Sequence, residues 1–160
     1  MSERHESGFG EPAGEVYDWF VRGLSLLDGG NAEAAAALLG HAHAREPDSA
    51  SILEALARAS FDAGRYPEAL ELFGQLAEST PDHDYARFGL GLSRMRTGDV
   101  PGAIEQLALA AAMRPARADY QRALREARAT LRAREEAAWQ RQGSPLWGGR
   151  PEPDVPGDPA

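Results

Sequence analysis

Pro47, Pro81 and Pro115 stand 34 residues apart. Gly30, Gly64 and Gly98 keep the same interval, and so do Ala35, Ala69 and Ala103. Three residue types sharing one period mark an internal repeat, and a period of roughly 20–50 residues means a stack of like supersecondary units. Each unit of such a stack buries its apolar face only against its neighbours, so the chain should build a solenoid.

The residues between these marks read as helices. Gly30, Gly64 and Gly98 each follow a first helix, where a left-handed residue closes the last turn. Pro67 and Pro101 open second helices, where a missing N–H costs nothing. Pro47, Pro81 and Pro115 end each unit, because proline cannot continue a helix. Beside them, Asp48-Ser49 and Asp82 are expected to cap the next helix. Gly23, Ala57 and Gly91 are small where the two helices of one hairpin approach. These signals place helices at about 15–28, 31–45, 49–63, 66–78, 83–97, 100–113 and 116–140.

In the last of them Tyr120, Leu124, Ala127 and Leu131 recur every three or four residues, one stripe able to cover the open edge of the third unit. A solenoid end needs such a cap with a polar outer face. The expected organisation is a polar tail at 1–13, a repeat domain at 14–141 and a Pro/Gly-rich tail at 142–160. Within the domain the units run about 16–49, 50–83 and 84–117, followed by a cap helix at 116–141. Both tails are expected to be disordered. Leu146 and Trp147 are the isolated apolar pair in the second, either solvated or docking in a groove.

The units resemble the tetratricopeptide repeat, whose pattern is W-x2-L-G-x2-Y, then A-x3-F, then P. The first carries Trp19, Arg22, Gly23, Leu26, Ala35, Leu39 and Pro47. The second carries Leu53, Leu56, Ala57, Ser60, Ala69, Phe73 and Pro81, and the third Arg87, Leu90, Gly91, Arg94, Ala103, Leu107 and Pro115. The resemblance implies an all-α, right-handed α-solenoid of helix–turn–helix repeats with about seven helices. Arg22, Ser60, Arg87 and Arg94 depart from the pattern by standing where apolar residues are usual. Two readings stay open for the arginines: stems that pack with heads in water, or Arg87 and Arg94 facing an acidic partner or a second copy.

The resemblance also implies a concave face lined by the first helices at repeat positions 2, 5, 9, 12 and 13. In the first unit these hold Tyr17, Phe20, Leu24, Leu27 and Asp28. In the second they hold Ser51, Glu54, Arg58, Phe61 and Asp62, and in the third Tyr85, Phe88, Leu92, Met95 and Arg96. The cap helix adds Asp119 and Arg122. Two aromatic and aliphatic clusters therefore flank a polar middle at Glu54 and Arg58. Such a groove suits another protein's amphipathic helix or extended segment with apolar anchors and at least one charged residue. The competing readings are burial of these side chains against neighbouring helices, and a homodimer through the groove or the cap helix. The carboxylate clamp of chaperone-binding relatives has no counterpart, since the matching positions carry Phe20, Leu24, Ala55, Tyr85 and Gly89.

Composition narrows the function classes. Cysteine is absent, which removes disulfides, thiolate metal sites and thiol nucleophiles. His41 and His43, two apart on a helix, point to different faces, and the histidines are expected to face solvent. There is no G-x-S-x-G elbow and no phosphate-binding glycine loop. No enzyme activity, cofactor or metal is expected. The formal net charge of −8 opposes nucleic-acid binding. Between Arg114 and Arg141, however, eight arginines stand against Asp119, Glu126, Glu135 and Glu136, leaving the rest of the chain strongly acidic. No stretch approaches the roughly 18 apolar residues of a membrane span, and the N-terminus has no apolar leader core. A cytoplasmic, non-catalytic adaptor is the expectation. The all-arginine cations and the abundant alanine, glycine and proline suggest a GC-rich bacterial genome.

Overall fold

The structure, a computed structural model, describes residues 13–143. The expectations for both tails, Leu146 and Trp147 among them, lie outside these residues. The described chain forms seven α-helices and no strand: α1 (Val16–Asp28), α2 (Ala32–Arg45), α3 (Ala50–Asp62), α4 (Tyr66–Ser79), α5 (Asp84–Thr97), α6 (Val100–Met113) and α7 (Ala118–Arg141). Each packs on its neighbours in sequence, and the first helices also meet one another, α1 with α3, α3 with α5 and α5 with α7. The fold is an all-α solenoid of three hairpins and one further helix.

Side chains at the helix starts satisfy donors that lack an intrahelical acceptor. Asn31 Oδ1 accepts the Ala34 N–H, Ser49 Oγ that of Ile52, and Asp99 Oδ1 that of Gly102. One expectation is corrected at α5. The cap is His83, whose Nδ1 accepts the Ala86 N–H at 3.2 Å, and Asp82 lies one residue outside. Pro67 and Pro101 sit in the first turns of α4 and α6. Gly30, Gly64 and Gly98 adopt φ of +80°, +78° and +94°, and a Cβ on any of them would meet nothing, so backbone conformation alone selects glycine there.

Crowding selects the other glycines. A Cβ on Gly23 would lie 2.6 Å from Leu39, and one on Gly91 2.6 Å from Leu107, so each hairpin closes on a leucine of its own second helix. The middle hairpin has Ala57 at that place. Its corresponding side chain is Phe73, which reaches forward into the next repeat, where a Cβ on Gly89 would lie 2.4 Å from the ring.

The register of the stack explains both ends. Ile52, Ala55, Leu56 and Ala59 of α3 are buried, as are Ala86, Gly89, Leu90 and Ser93 of α5 and Tyr120, Ala123, Leu124 and Ala127 of α7. At the same repeat positions α1 carries Asp18, Val21, Arg22 and Ser25, all exposed, so no described helix packs on the outer side of α1. At the other end, the positions of α7 that would receive a second helix hold Gln121, Arg125 and Arg128, where α5 has Arg87, Gly91 and Arg94. An arginine in the place of Gly91 leaves no room for another helix to approach α7 as closely as α6 approaches α5.

Arg87 and Arg94 do not face outward. Arg87 Nη1 donates to Gln106 Oε1 on α6 at 3.2 Å, and Arg94 Nη1 to Asp99 Oδ2 at 2.9 Å. They add polar links within the third hairpin at positions that are usually apolar.

Candidate functional site

Three hollows adjoin one another along the first helices. One of ≈ 280 Å³ is bounded by Val16, Tyr17 and Phe20 of α1 and by Ser49, Ser51 and Ile52 at the start of α3. The next, ≈ 250 Å³, lies between α1 and α3 over Phe20, Leu24, Ser51, Glu54, Ala55 and Arg58. The third, ≈ 110 Å³, lies between α3 and α5, with Arg58, Phe61 and Asp62 on one side and Tyr85, Phe88 and Leu92 on the other. Phe20 and Ser51 are shared by the first pair and Arg58 by the second, so together they form one trough across α1, α3 and α5.

The trough brings together most residues expected in it. Tyr17 is 73% exposed at its open end. Phe20, Leu24 and Tyr85 are half-buried and lean on the main core. Phe88, Leu92 and Met95 lean on a second core shared with α7. Leu27 does not belong to this surface. It is 5% exposed and packs among Ala35, Leu39 and Leu56, because the α1–α2 hairpin closes over the end of its helix. Nor are the apolar residues free of packing duties. The Phe88 ring stacks on Tyr120 at 4.5 Å between centroids, and Tyr85 meets Phe73 edge-on at 6.1 Å. Arg122 is exposed on α7 beyond the third hollow.

The polar groups of the middle find partners within the domain. Glu54 Oε2 accepts from His83 Nε2 at 2.8 Å. Arg58 lies 3.5 Å from Asp28 and 3.9 Å from Asp62. His83 thus uses both ring nitrogens, Nδ1 as helix cap and Nε2 as donor across to α3, and is not the solvent-facing histidine expected. His83→Ala should cost about 1 kcal/mol in denaturant unfolding, and His83→Asn, which keeps an acceptor at the cap, distinctly less.

Two further arrangements rim the trough. Arg96 lies over the rings of Phe61 and Tyr66 at 5.8 and 5.2 Å and donates to the Tyr66 hydroxyl. At the α7 start, Arg117 donates twice to Asp119, at 2.9 and 2.7 Å, which holds the carboxyl down to about 2. The Arg117 guanidinium also covers the Tyr120 ring at 4.7 Å. Burial pushes the Tyr85 hydroxyl up from its ordinary range. Among the described residues no group of three or more histidine and carboxylate side chains is placed to hold a metal, and no helix is long and apolar enough to cross a membrane.

Phe73 at the floor of the third hollow escaped sequence reasoning. The signal was present in the glycine at 89, where the neighbouring seams have Ala55 and Ala123.

The family model for the tetratricopeptide repeat matches residues 20–73 and again 54–118. No curated protein matches the chain in sequence. Among solved structures, MamA MSR-1 superposes with a TM-score of 0.69 at 24% identity, over 81% of this chain and 74% of that one. The first tetratricopeptide domain of human RPAP3 gives 0.70 at 14% identity, over 76% and 95%. The first such domain of Spaghetti (RPAP3), solved bound to the HSP90 peptide SRMEEVD, gives 0.69 at 14%, over 78% and 98%. At these identities the likeness is one of fold.

Proposed function

The chain belongs to the tetratricopeptide repeat family, and from that footing we propose that it is a non-catalytic interaction module working in the cytoplasm. Its trough takes a helical or extended segment of another protein. The observation that carries this reading is the continuity of the three hollows, with half-buried apolar side chains at both ends and charges in the middle already paired. A segment lying there gains apolar contact at the ends and meets polar groups between them that already have partners within the domain. Concave apolar surface with few fixed polar groups is what peptide recognition needs.

The HSP90 peptide held by the RPAP3 domain is acidic towards its C-terminus. This trough offers such a peptide no matching cations. Phe20, Leu24 and Tyr85 present apolar surface, Ala55 is buried, and Gly89 is closed off by Phe73. The partner segment is therefore anchored by apolar side chains and not by a terminal carboxylate.

Selection of peptides from a displayed random library on the whole chain tests this. Ser51 is exposed and lines two of the three hollows, so Ser51→Arg fills the trough without touching the core. Selected peptides should carry two separated apolar anchors and bind Ser51→Arg at least about tenfold more weakly, a loss of about 1.4 kcal/mol. The helical circular dichroism should not change. Equal binding to both proteins would remove the trough as the working surface.

A further inference from the structure

The three hollows of the trough are unequal. An apolar cavity of about 150 Å³ holds a benzene ring. At ≈ 280 Å³ the first hollow exceeds that, whereas the third, at ≈ 110 Å³, falls short of it. The walls of the third cannot readily spread. Phe73 at its floor is 2% exposed and occupies the space where a Cβ on residue 89 would stand. Phe88 is stacked on Tyr120, and Tyr85 stands edge-on to Phe73, so each ring of the wall is backed by another. The first hollow has no such backing at its mouth, where Tyr17 is exposed. A ring that enters the first hollow is therefore excluded from the third, which has room for an aliphatic side chain.

Between these two hollows the charges do not balance. Glu54 and Arg58 line the second hollow, and Arg58 and Asp62 the third. Asp28 approaches Arg58 from α1, so three carboxylates stand around one guanidinium. His83 adds no charge: its Nδ1 accepts the Ala86 N–H, so that nitrogen is unprotonated and the ring is neutral. The pairing is also loose. At 3.5 and 3.9 Å, Asp28 and Asp62 lie farther from Arg58 than charge-assisted hydrogen bonds reach, about 2.7–2.9 Å. Their oxygens keep lone pairs for further donors, and Glu54 uses one oxygen, Oε2, on His83. Glu46 places a further carboxylate at the edge of the first hollow. An anion arriving at the middle meets an excess of its own sign, and a cation meets the opposite.

We propose, on the footing that the trough is the working surface, that its occupant is a basic segment read in one direction. From α1 towards α5 it presents an aromatic ring to the first hollow, a lysine or arginine to Glu54 and Asp62, and an aliphatic side chain to the third hollow. Reversed, the segment brings its ring to a hollow too small for it. Size thus fixes the direction and charge fixes the centre. Acidic segments are turned away by the same carboxylates.

Random-peptide selection on the whole chain, repeated on the double variant Glu54→Gln/Asp62→Asn, tests this. The amide of Glu54→Gln still accepts the His83 N–H, so the trough keeps its shape. Peptides selected on wild type should carry a lysine or arginine between two apolar anchors and bind the double variant about threefold or more weakly. In peptides selected on the variant that preference should disappear. Within one wild-type peptide, changing the aliphatic anchor to phenylalanine should weaken binding about tenfold or more. Changing the aromatic anchor to leucine should have a smaller effect. Leu92→Ala, which widens the third hollow, should recover part of the loss. Equal cation content in the two selections, or anchors that exchange freely, would overturn the proposal; if binding is still lost in Ser51→Arg, the trough itself stands. Equal binding to wild type and Ser51→Arg would remove the trough, and this occupant with it.

Discussion

Phe73→Ala should lower the unfolding free energy by about 3–5 kcal/mol, and Gly89→Ala by about 1–3 kcal/mol. Phe73 is 2% exposed, and its ring occupies the space that a Cβ on residue 89 would enter. The first change leaves a cavity between repeats two and three. The second drives a methyl group into the ring, which must shift. The neighbouring seams show the remedy. Hairpins one and three place glycine at 23 and 91 to receive Leu39 and Leu107, and the following first helices carry Ala55 and Ala123. Ala57→Gly, Phe73→Leu and Gly89→Ala together rebuild that arrangement in the middle hairpin. The triple variant should return to within about 1.5 kcal/mol of the starting chain, a coupling far outside additivity. Guanidinium unfolding followed by helical circular dichroism reads all three. Additive losses in the triple variant would show that the seam is not a matter of shape exchange.

Tyr120→Ala should cost a comparable amount, about 3–5 kcal/mol. Tyr120 is fully buried, stacks on Phe88, lies under Arg117 and donates its hydroxyl hydrogen to Asp84 Oδ2 at 2.8 Å. It is therefore the point at which α7 closes the stack. Tyr120→Phe keeps the ring and loses the hydrogen bond, a cost of about 1 kcal/mol near neutral pH. Burial first, and the Asp84 carboxylate second, raise the Tyr120 hydroxyl above its ordinary range. A group raised in the folded state stabilises fully below its unfolded value and loses that contribution as pH climbs. The gap between wild type and Tyr120→Phe should hold steady to about pH 10 and shrink above it. A gap that widens with alkalinity would contradict the buried, hydrogen-bonded hydroxyl. The same contacts make Phe88 partly a structural residue, and its substitution would confound stability with binding.

The helices and their order were legible because glycine, proline and capping residues report local backbone demands. Gly30, Gly64 and Gly98 take the left-handed conformation that their place after each first helix required. The trough was legible only as far as repeat position fixes direction. Position placed Phe20, Leu24, Tyr85, Phe88 and Leu92 along it, and also placed Leu27 there, although the hairpin buries that side chain. What stayed hidden is set by contacts between residues about 30 apart, which no local pattern encodes. The Glu54–His83 bond, the Arg96–Tyr66 contact and the Tyr120–Asp84 bond all belong to this class. The contact of Arg58 with Asp28 of the preceding repeat is of the same kind.

The most direct test of the trough is chemical-shift mapping on the isotope-labelled full chain, titrated with a peptide selected as above. The account predicts that perturbed amides cluster on α1, α3 and α5, around Phe20, Leu24, Ser51, Arg58 and Leu92, and that Ser51→Arg abolishes the changes. Perturbations confined to α2, α4 and α6, or to α7, would contradict it and place the working surface elsewhere on the solenoid.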